Sequence, residues 1–509
     1  MMASPGNTSD NLDDGGGGPP RGRPSELRES SAFERIITNG GLSRIVKRVV
    51  SDISWAGGFA KHGARAFSYG KLPLEETFSP RRMSTRDSPE NNSFKLRVMS
   101  FNTWGIPISP LSLKRHEAIG KMLFGDGRNG WDVVAFQEVW HKRERKILRQ
   151  AASAAGLIHQ HYWELGVGLP LYPGTGGTGL LICSRYPILV KSFHRFNVTG
   201  KIYRFDHGDY MAAKGVGLAR IDTPGGVVDV YNTHILAEYS GKPETKEDTY
   251  HSCRVAQAFE LAQFIRLVSQ NTPLTVLCGD LNLDPDSRGV SLIRHLLRFH
   301  LAGGAELGNT FGTPDNCFSH DNKAMRLDYV MWSSASQGQW ECTCAKILPV
   351  FADLPGGDGF SLDGTDRVAL SDHWPVGVSL QRYGDRSQTP RSDEFSKEEA
   401  ELAKNALSNA IELLQKKLTN SIRDAKRSYS RFLAIFVAIF SLGVAAAFKG
   451  PPQSTRRFVL ALLFAALLPL VSVIHFLLAA FVTSDEVAGL KEILNQMASA
   501  AENIFSAED

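Results

Sequence analysis

Polar side chains able to bind metal or transfer protons follow the apolar, strand-like runs of this chain, where each run ends. The run at residues 276–278, Val-Leu-Cys, leads through a glycine to Asp280 and Asn282. One such placement is typical of a turn, because Asp and Asn side chains bond their own backbone. Here it recurs after other runs, at Asn102, Glu138, His234, Asp328, Asp372 and His373. The recurrence predicts a cleft at one rim of a sheet.

The residue types at these positions suit attack of water on a phosphodiester. Glu138 among oxygen ligands suits a hard ion such as Mg2+, whereas zinc would require more His or Cys. His373 and His234 are imidazoles that can take a proton from water and deliver one to the leaving oxygen. Asn102 and Asn282 can donate amide hydrogen bonds to the phosphate without adding charge. Metal-assisted phosphodiester hydrolysis is therefore the chemistry that the set predicts.

Alternating apolar runs and polar turns must position these side chains. Between about residues 95 and 382 such runs outnumber the helical stretches, of which residues 251–268 are the clearest. This pattern predicts a catalytic domain of the α/β (α+β) class, in which two sheets pack face to face beneath outer helices.

The N-terminal part differs from this domain. Residues 1–94 are rich in Gly, Pro, Ser and charge, which predicts a largely disordered region. Inside it, residues 33–55 have apolar residues at helical spacing beside basic ones. This segment would either lie on a membrane surface or pack as a helix on the main domain.

The C-terminal part changes composition abruptly. Residues 383–431 predict a linker and a charged amphipathic helix. The uncharged ranges 432–448 and 458–482 predict a hairpin of two transmembrane helices, with a helical tail at 483–509. Basic residues are more numerous before the first range than in the linker, which predicts a catalytic domain facing the cytosol. Six scattered cysteines agree with that side, and we expect an integral protein of the endoplasmic reticulum or another endomembrane.

Six short motifs occur in order along the chain: FNTWGIP, FQEVW, NTHILAEY, CGDLNLDP, RLDYV and SDHWP. Over about residues 96–381 this ordered set resembles the endonuclease/exonuclease/phosphatase superfamily, and within it the neutral sphingomyelinases. The resemblance implies a four-layer α-β-β-α sandwich. It also implies phospholipase C-type hydrolysis of a membrane lipid, sphingomyelin, to ceramide and phosphocholine, with Mg2+ as cofactor and Mn2+ as a substitute.

The resemblance further implies a role for each strand-end residue. Glu138 would be the Mg2+ ligand, with Asn102 alongside. Asp280 and Asn282 would hold the nucleophilic water and the phosphate.

The imidazoles receive roles in the same way. His373 would be the general base, oriented by Asp328, with Asp372 nearby in the network of metal and histidine. His234 would bind the phosphate or act as the acid. Whether Asp280 or His373 takes the proton from water stays open.

Asp209 and Lys214 lie five residues apart in HGDYMAAKGVG. The simplest interpretation is an exposed ion pair at a strand start. The resemblance implies instead a switch beside the phosphate, in which Lys214 leaves Asp209 and meets the substrate.

Other functions remain as alternatives. The nearest keeps the mechanism and takes inositol phosphosphingolipids as substrate. A DNA-repair nuclease is disfavoured, because the net charge of +4 over 509 residues gives no sign of a nucleic-acid partner. An inositol polyphosphate phosphatase or a non-enzymatic membrane adaptor fits the residues less well.

Overall fold

The computed structural model describes most of the chain from residue 93 onward. The described residues are 93–124, 130–164, 177–201, 204, 207–270, 272–319, 323–337, 339–357, 359–362, 364–384, 389–390, 395–449, 455–477 and 483–505. All of them belong to residues 70–509, one of the two units into which the chain divides. The structure does not describe residues 1–92. The predicted disordered region at 1–94, apart from its last two residues, therefore lies outside the described residues. So does the predicted amphipathic segment at 33–55.

Most of the strands build two six-stranded sheets. In chain order the strands are β1 Ser93–Asn102, β2 Val133–Gln137, β3 His159–Tyr162, β4 Leu181–Ser184, β5 Ile188–Arg195, β6 Gly215–Thr223, β7 Gly226–His234, β8 Leu274–Asp280, β9 His300–Leu301, β10 Asp328–Ser334, β11 Ser336–Gln337, β12 Trp340–Ile347, β13 Phe351–Asp353, β14 Arg367–Ala369, β15 Val376–Tyr383 and β16 Thr389–Pro390. Sheet 1 has the order β12-β15-β1-β2-β4-β3, and sheet 2 has the order β5-β6-β7-β8-β10-β9. The pairs β1/β2 and β7/β8 are parallel, whereas the other pairs in these sheets are antiparallel.

The chain also forms helices, most of which cover the outer faces of the two sheets. They are α1 Ser112–Met122, α2 Lys142–Ala154, α3 His251–Val268, α4 Arg288–Leu297, α5 Lys397–Lys449, α6 Thr455–Leu477 and α7 Thr483–Phe505. One core lies between the sheets, a second joins sheet 1 to α1 and α2, and a third joins sheet 2 to α3, α4, α5 and α7. The predicted four-layer α-β-β-α sandwich is therefore confirmed.

The central strands explain the unbroken apolar runs in the sequence. Every residue of β2 and β8 is buried. Both strands lie inside their sheets, with the inter-sheet core on one face and a helix layer on the other. A strand covered on both faces has no solvent side, so it lacks polar alternation until it ends.

The C-terminal helices differ from the prediction. Helix α5 is a single helix of 53 residues that continues past residue 431, where the sequence predicts a boundary. Among the described residues, none of the helices is both long and apolar enough to cross a membrane. The predicted spans at 432–448 and 458–482 are therefore not confirmed. Residues 483–505 form the helix α7, which buries Leu490, Ile493 and Met497 in the core beside α3.

Helix α1 contributes a buried imidazole that should make stability depend on pH. His116 is fully buried, with Nδ1 2.7 Å from the Ser112 carbonyl, and burial lowers its pKa from 6.5 to about 3, helped by the charge of Arg115. Below pH 6.5 the unfolded chain binds a proton that the folded chain does not. Stability should therefore fall on acidification, and His116 should account for about 2 kcal/mol of the loss at pH 5.

Urea unfolding at pH 7.5 and pH 5.0 would test this contribution. In His116→Gln the loss of stability between the two pH values should be smaller than in the wild type by about 2 kcal/mol. Equal losses in the two proteins would mean that His116 does not titrate as its burial requires.

Candidate active site

The strand registers bring the predicted site residues to one rim of the sandwich. Parallel pairing aligns Asn102 of β1 with Gln137 of β2, and His234 of β7 with Asp280 of β8. Antiparallel pairing places Asp328, the first residue of β10, opposite Asp280. Because parallel strands end on the same side of a sheet, polar residues far apart in the chain converge.

The backbone turns sharply just past these strand ends. Glu138 and Asn282 have left-handed conformations, with φ of 60° and 48°. Gly105 lies so close to the other loop that an added Cβ would be 2.1 Å from the carbonyl oxygen of Glu138. Only glycine allows this approach, and the loop after Asn102 can therefore meet the loop that carries Glu138.

Asn102 links the carboxylates of the two sheets. Its Nδ2 donates to Oε1 of Glu138 at 3.2 Å and to Oδ2 of Asp280 at 2.9 Å. The other oxygen of Glu138, Oε2, is buried and accepts no hydrogen bond from the described residues. Burial raises the pKa of Glu138, only partly offset by the charges of Lys214 and His373. A buried carboxylate oxygen without a donor is suited to a cation.

His373 pairs with the carboxylate that starts β10. Its Nδ1 lies 2.8 Å from Oδ2 of Asp328, and its Nε2 lies 3.9 Å from Oδ2 of Asp280. Burial opposes the charge on His373, but Asp328, Asp280 and Asp372 outweigh it and raise its pKa well above 6.5. Burial also raises the pKa of Asp280 to about 6. The protonation of each group therefore depends on that of the other.

Asn102, Glu138, Asp280, Asp328 and His373 form one cluster. Two sets of side chains in this cluster could hold a divalent metal. Ligand atoms of Asp280, Asp328 and His373 lie within 4.8 Å of one another. Glu138 and Asn102 form the second set, which is the predicted one. The first set already contains the short hydrogen bond between His373 and Asp328, whereas the second contains the oxygen without a donor.

Lys214 connects the cluster to Asp209. Its Nζ lies 3.1 Å from Oδ1 of Asp209 and 2.9 Å from Nε2 of His234, and it is 2% exposed. The other oxygen of Asp209 accepts from Ala237 N and the Tyr239 hydroxyl, each at 2.9 Å. The pair is thus buried, not the exposed ion pair of the simplest interpretation. The structure shows Lys214 in contact with both Asp209 and the cluster.

His234 is the uncharged imidazole of the cluster. Burial, and then the charges of Lys214 and His373, hold its pKa well below 6.5. Its Nε2 lies 3.5 Å from Oδ2 of Asp280 and 3.9 Å from Oε1 of Glu138.

Asp372 and Asn282 lie at the border of the cluster. Burial raises the pKa of Asp372 to about 6, and its Oδ1 accepts from the Ser371 hydroxyl at 3.3 Å. Asn282 donates its backbone N–H to Oδ1 of Asp280 at 2.9 Å. Its side-chain amide donates one hydrogen to the Ile235 carbonyl at 3.1 Å, which leaves the second hydrogen for a phosphate.

Arg115 holds two segments of the site together, and it is not among the site residues predicted from the sequence. It is fully buried and donates to the carbonyls of Thr103, Trp104 and Leu370 at 2.8 to 3.0 Å. It thereby ties the loop after Asn102 to the segment that carries Asp372 and His373. An arginine on a helix ordinarily indicates a solvent-facing surface, so no pattern distinguishes this one.

Comparisons with known proteins place the chain in a family. The sequence profile of the Endonuclease/Exonuclease/phosphatase family matches residues 99–373, and the chain belongs to that family. It is 31% identical to sphingomyelin phosphodiesterase 2 of Homo sapiens over 318 residues, which are 59% of this chain and 68% of that protein. A Drosophila melanogaster protein that carries the name neutral sphingomyelinase is 40% identical over 307 residues, 59% of this chain and 63% of that protein.

A third relative has another substrate in its name. Inositol phosphosphingolipids phospholipase C of Schizosaccharomyces pombe is 30% identical over 205 residues, 40% of this chain and 43% of that protein. The predicted resemblance to the neutral sphingomyelinases is confirmed by these matches, and the relatives include both predicted substrate classes.

Proposed function

We propose that this protein hydrolyses sphingomyelin to ceramide and phosphocholine by attack of water on the phosphodiester. One observation carries the proposal: Oδ2 of Asp280 lies 2.9 Å from the Asn102 amide, 3.5 Å from His234 and 3.9 Å from His373. A water and a phosphate next to this oxygen would meet a proton acceptor and hydrogen-bond donors together. The sphingomyelin phosphodiesterases among the relatives support the choice of lipid.

The proposed cofactor is Mg2+, with Mn2+ able to substitute, bound by Glu138 with Asn102 alongside. The buried, unpaired Oε2 of Glu138 supports this choice of ligand. When bound, the ion would polarise the phosphoryl oxygen and neutralise the charge that develops as the bond breaks. Asp280, Asp328 and His373, the alternative ligand set, are assigned to proton transfer because His373 and Asp328 already share a short hydrogen bond.

Asp280 and His373 are proposed to act as a pair on the nucleophilic water: His373 already carries a proton, so Asp280 takes the proton of the water, and solvent supplies a proton to the ceramide oxygen as its bond to phosphorus breaks. The 3.9 Å between Asp280 Oδ2 and His373 Nε2 lets one water contact both groups. Asp328 holds the imidazole in position through Nδ1, and Asp372 adds negative charge that favours its protonated form.

His234, Asn282 and Lys214 are proposed to bind the phosphate. The low pKa of His234 suits a neutral hydrogen-bonding group better than a proton donor. Lys214 supplies positive charge beside His234, and Asp209 would release it toward an arriving phosphate.

Lipid contact is proposed for the apolar surface of the last helices. Phe436 and Phe440 of α5 are 54% and 66% exposed, and Leu467 and Leu470 of α6 are 61% and 57% exposed. Large exposed apolar surfaces on soluble domains are uncommon, and a bilayer would cover this one next to the lipid substrate. The cytosolic orientation and the endomembrane compartment stay predictions from the sequence.

Headgroup release from detergent micelles tests the function. We expect the wild type to release phosphocholine from sphingomyelin with Mg2+ and to release none with EDTA. Release of inositol phosphate from inositol phosphoceramide alone would replace the substrate and keep the mechanism, as the Schizosaccharomyces pombe relative suggests. No release from either lipid would contradict the proposal.

A further inference from the structure

Two amide side chains meet across the largely apolar space between the sheets. Nε2 of Gln137, at the end of β2, donates to Oδ1 of Asn232, on β7, at 2.8 Å. Both residues are fully buried. The hydrogen bond therefore joins sheet 1 to sheet 2 inside the sandwich, where water does not compete for it.

The orientation of both amides is determined by backbone carbonyls. Nδ2 of Asn232 donates across the sandwich to the carbonyls of Phe136 at 2.9 Å and Leu181 at 3.2 Å. The oxygen of Asn232 must then face Gln137, and Gln137 must present its NH2 group to it. The pair has a single arrangement, so it sets the relative position of β2 and β7.

The pair lies directly beneath the catalytic cluster. Gln137 immediately precedes Glu138, and Asn232 lies two residues before His234 on the same strand. Glu138 and His234 belong to different sheets, and their side chains are separated by 3.9 Å. Because His234 is in register with Asp280, the same hydrogen bond also places Glu138 relative to Asp280.

Stability alone does not account for Gln137. Its Oε1 is buried and accepts no hydrogen bond from the described residues, although an unpaired buried acceptor is unfavourable. Apolar side chains of similar shape in place of both Gln137 and Asn232 would avoid that cost. We propose that Gln137 and Asn232 are positioning residues, which hold Glu138 of one sheet against His234 and Asp280 of the other; this rests on the proposed function.

Gln137→Met separates positioning from stability. The change keeps the side-chain length. Oδ1 of Asn232 and Oγ of Ser100 lose the donor that Nε2 supplies at 2.8 and 3.3 Å, while the unpaired Oε1 of Gln137 disappears. The melting temperature without metal should therefore fall by a few degrees. We expect kcat for sphingomyelin to fall by at least about 10-fold with little change in KM, because small displacements of reacting groups are costly.

Metal binding supplies a readout that does not depend on turnover. The Mg2+ concentration that half-saturates the rise in melting temperature should increase by about 10-fold in Gln137→Met, as for other changes next to a ligand. If Gln137→Met does not fold, Gln137→Asn replaces it, since the shorter amide cannot span the gap.

Tyr231→Phe is the matched control. Tyr231 is the neighbour of Asn232 on β7, is fully buried and faces the opposite core, where its hydroxyl lies 2.7 Å from Ser269. This variant also loses a buried hydrogen bond, but kcat and the Mg2+ response should be unchanged.

A Gln137→Met enzyme with wild-type kcat and Mg2+ response, or one that loses them only in proportion to its melting temperature, would overturn the inference. A wild type that binds Mg2+ but cleaves neither lipid would contradict the proposed function and leave the Mg2+ comparison as the test of positioning.

Discussion

Replacing His373 by alanine is expected to lower kcat for sphingomyelin by about 10^3-fold, because the water loses half of the pair that acts on it. The change also removes the hydrogen-bond partner of Asp328, which lies 2.8 Å from His373 Nδ1 in the intact site. Asp328→Asn should have a smaller but large effect, of about 10^2-fold, since an amide does not hold the imidazole as a carboxylate does. Phosphocholine release at saturating lipid and Mg2+ measures both values.

His194→Ala is the matched control for this loss. His194 also pairs with a carboxylate, at 3.3 Å from Glu260, but it lies on β5, away from the cluster. Its replacement should leave kcat within about twofold of the wild type, as for most changes outside a site. A His373→Ala enzyme that keeps more than a tenth of the wild-type kcat would exclude His373 from the pair that acts on the water.

The site could be predicted because its residues follow strands that are easy to recognise. Strands β2 and β8 are covered on both faces, so their sequences are apolar until the first residue that faces the cleft. The change from apolar to polar therefore indicates both the end of the strand and the position of Glu138 or Asp280. Parallel pairing then places these strand ends side by side, although no local sequence pattern indicates which strands pair.

The supporting contacts could not be predicted, because they join residues that are distant in the chain. Gln137 and Asn232 are 95 residues apart, and Arg115 reaches Leu370 across 255 residues. Gln137 is visible in the sequence at the end of an apolar run, but no local pattern shows which acceptor it meets. Burial of a polar side chain is a property of the assembled sheets, so a single sequence does not contain it as a pattern.

The C-terminal prediction rested on local composition alone. An uncharged range predicts a membrane span, and the change of composition at residue 431 predicts a boundary. The structure has no break there, because Ala434, Ile435 and their neighbours are all compatible with a helix, and no proline interrupts residues 397–449. Composition thus indicated which surface is apolar, whereas the extent of the helix depends on backbone propensity.

Glu138→Gln should make the protein more stable than the wild type without Mg2+ and less stable than the wild type with it. Burial raises the pKa of Glu138, so at neutral pH its charge is unfavourable in the folded state without a cation. The linkage has a definite sign: a carboxyl whose folded pKa is above its unfolded value loses stability as pH rises through that interval. Neutral Gln removes this penalty, and the variant without metal should melt above the wild type at pH 7.

Addition of Mg2+ should then invert that order. Mg2+ at 100 times its dissociation constant should stabilise the wild type by about 2.7 kcal/mol and the variant hardly at all, while kcat of the variant falls by about 10^3-fold. Glu260→Gln is the control, because Glu260 is a buried carboxylate that accepts from Asn197 at 2.9 to 3.2 Å outside the site. That variant should be less stable than the wild type with or without Mg2+, and Mg2+ should stabilise it by as much as it stabilises the wild type. An equal Mg2+ increment in Glu138→Gln would instead place the ion on Asp280, Asp328 and His373, the other set of ligands that the cluster offers.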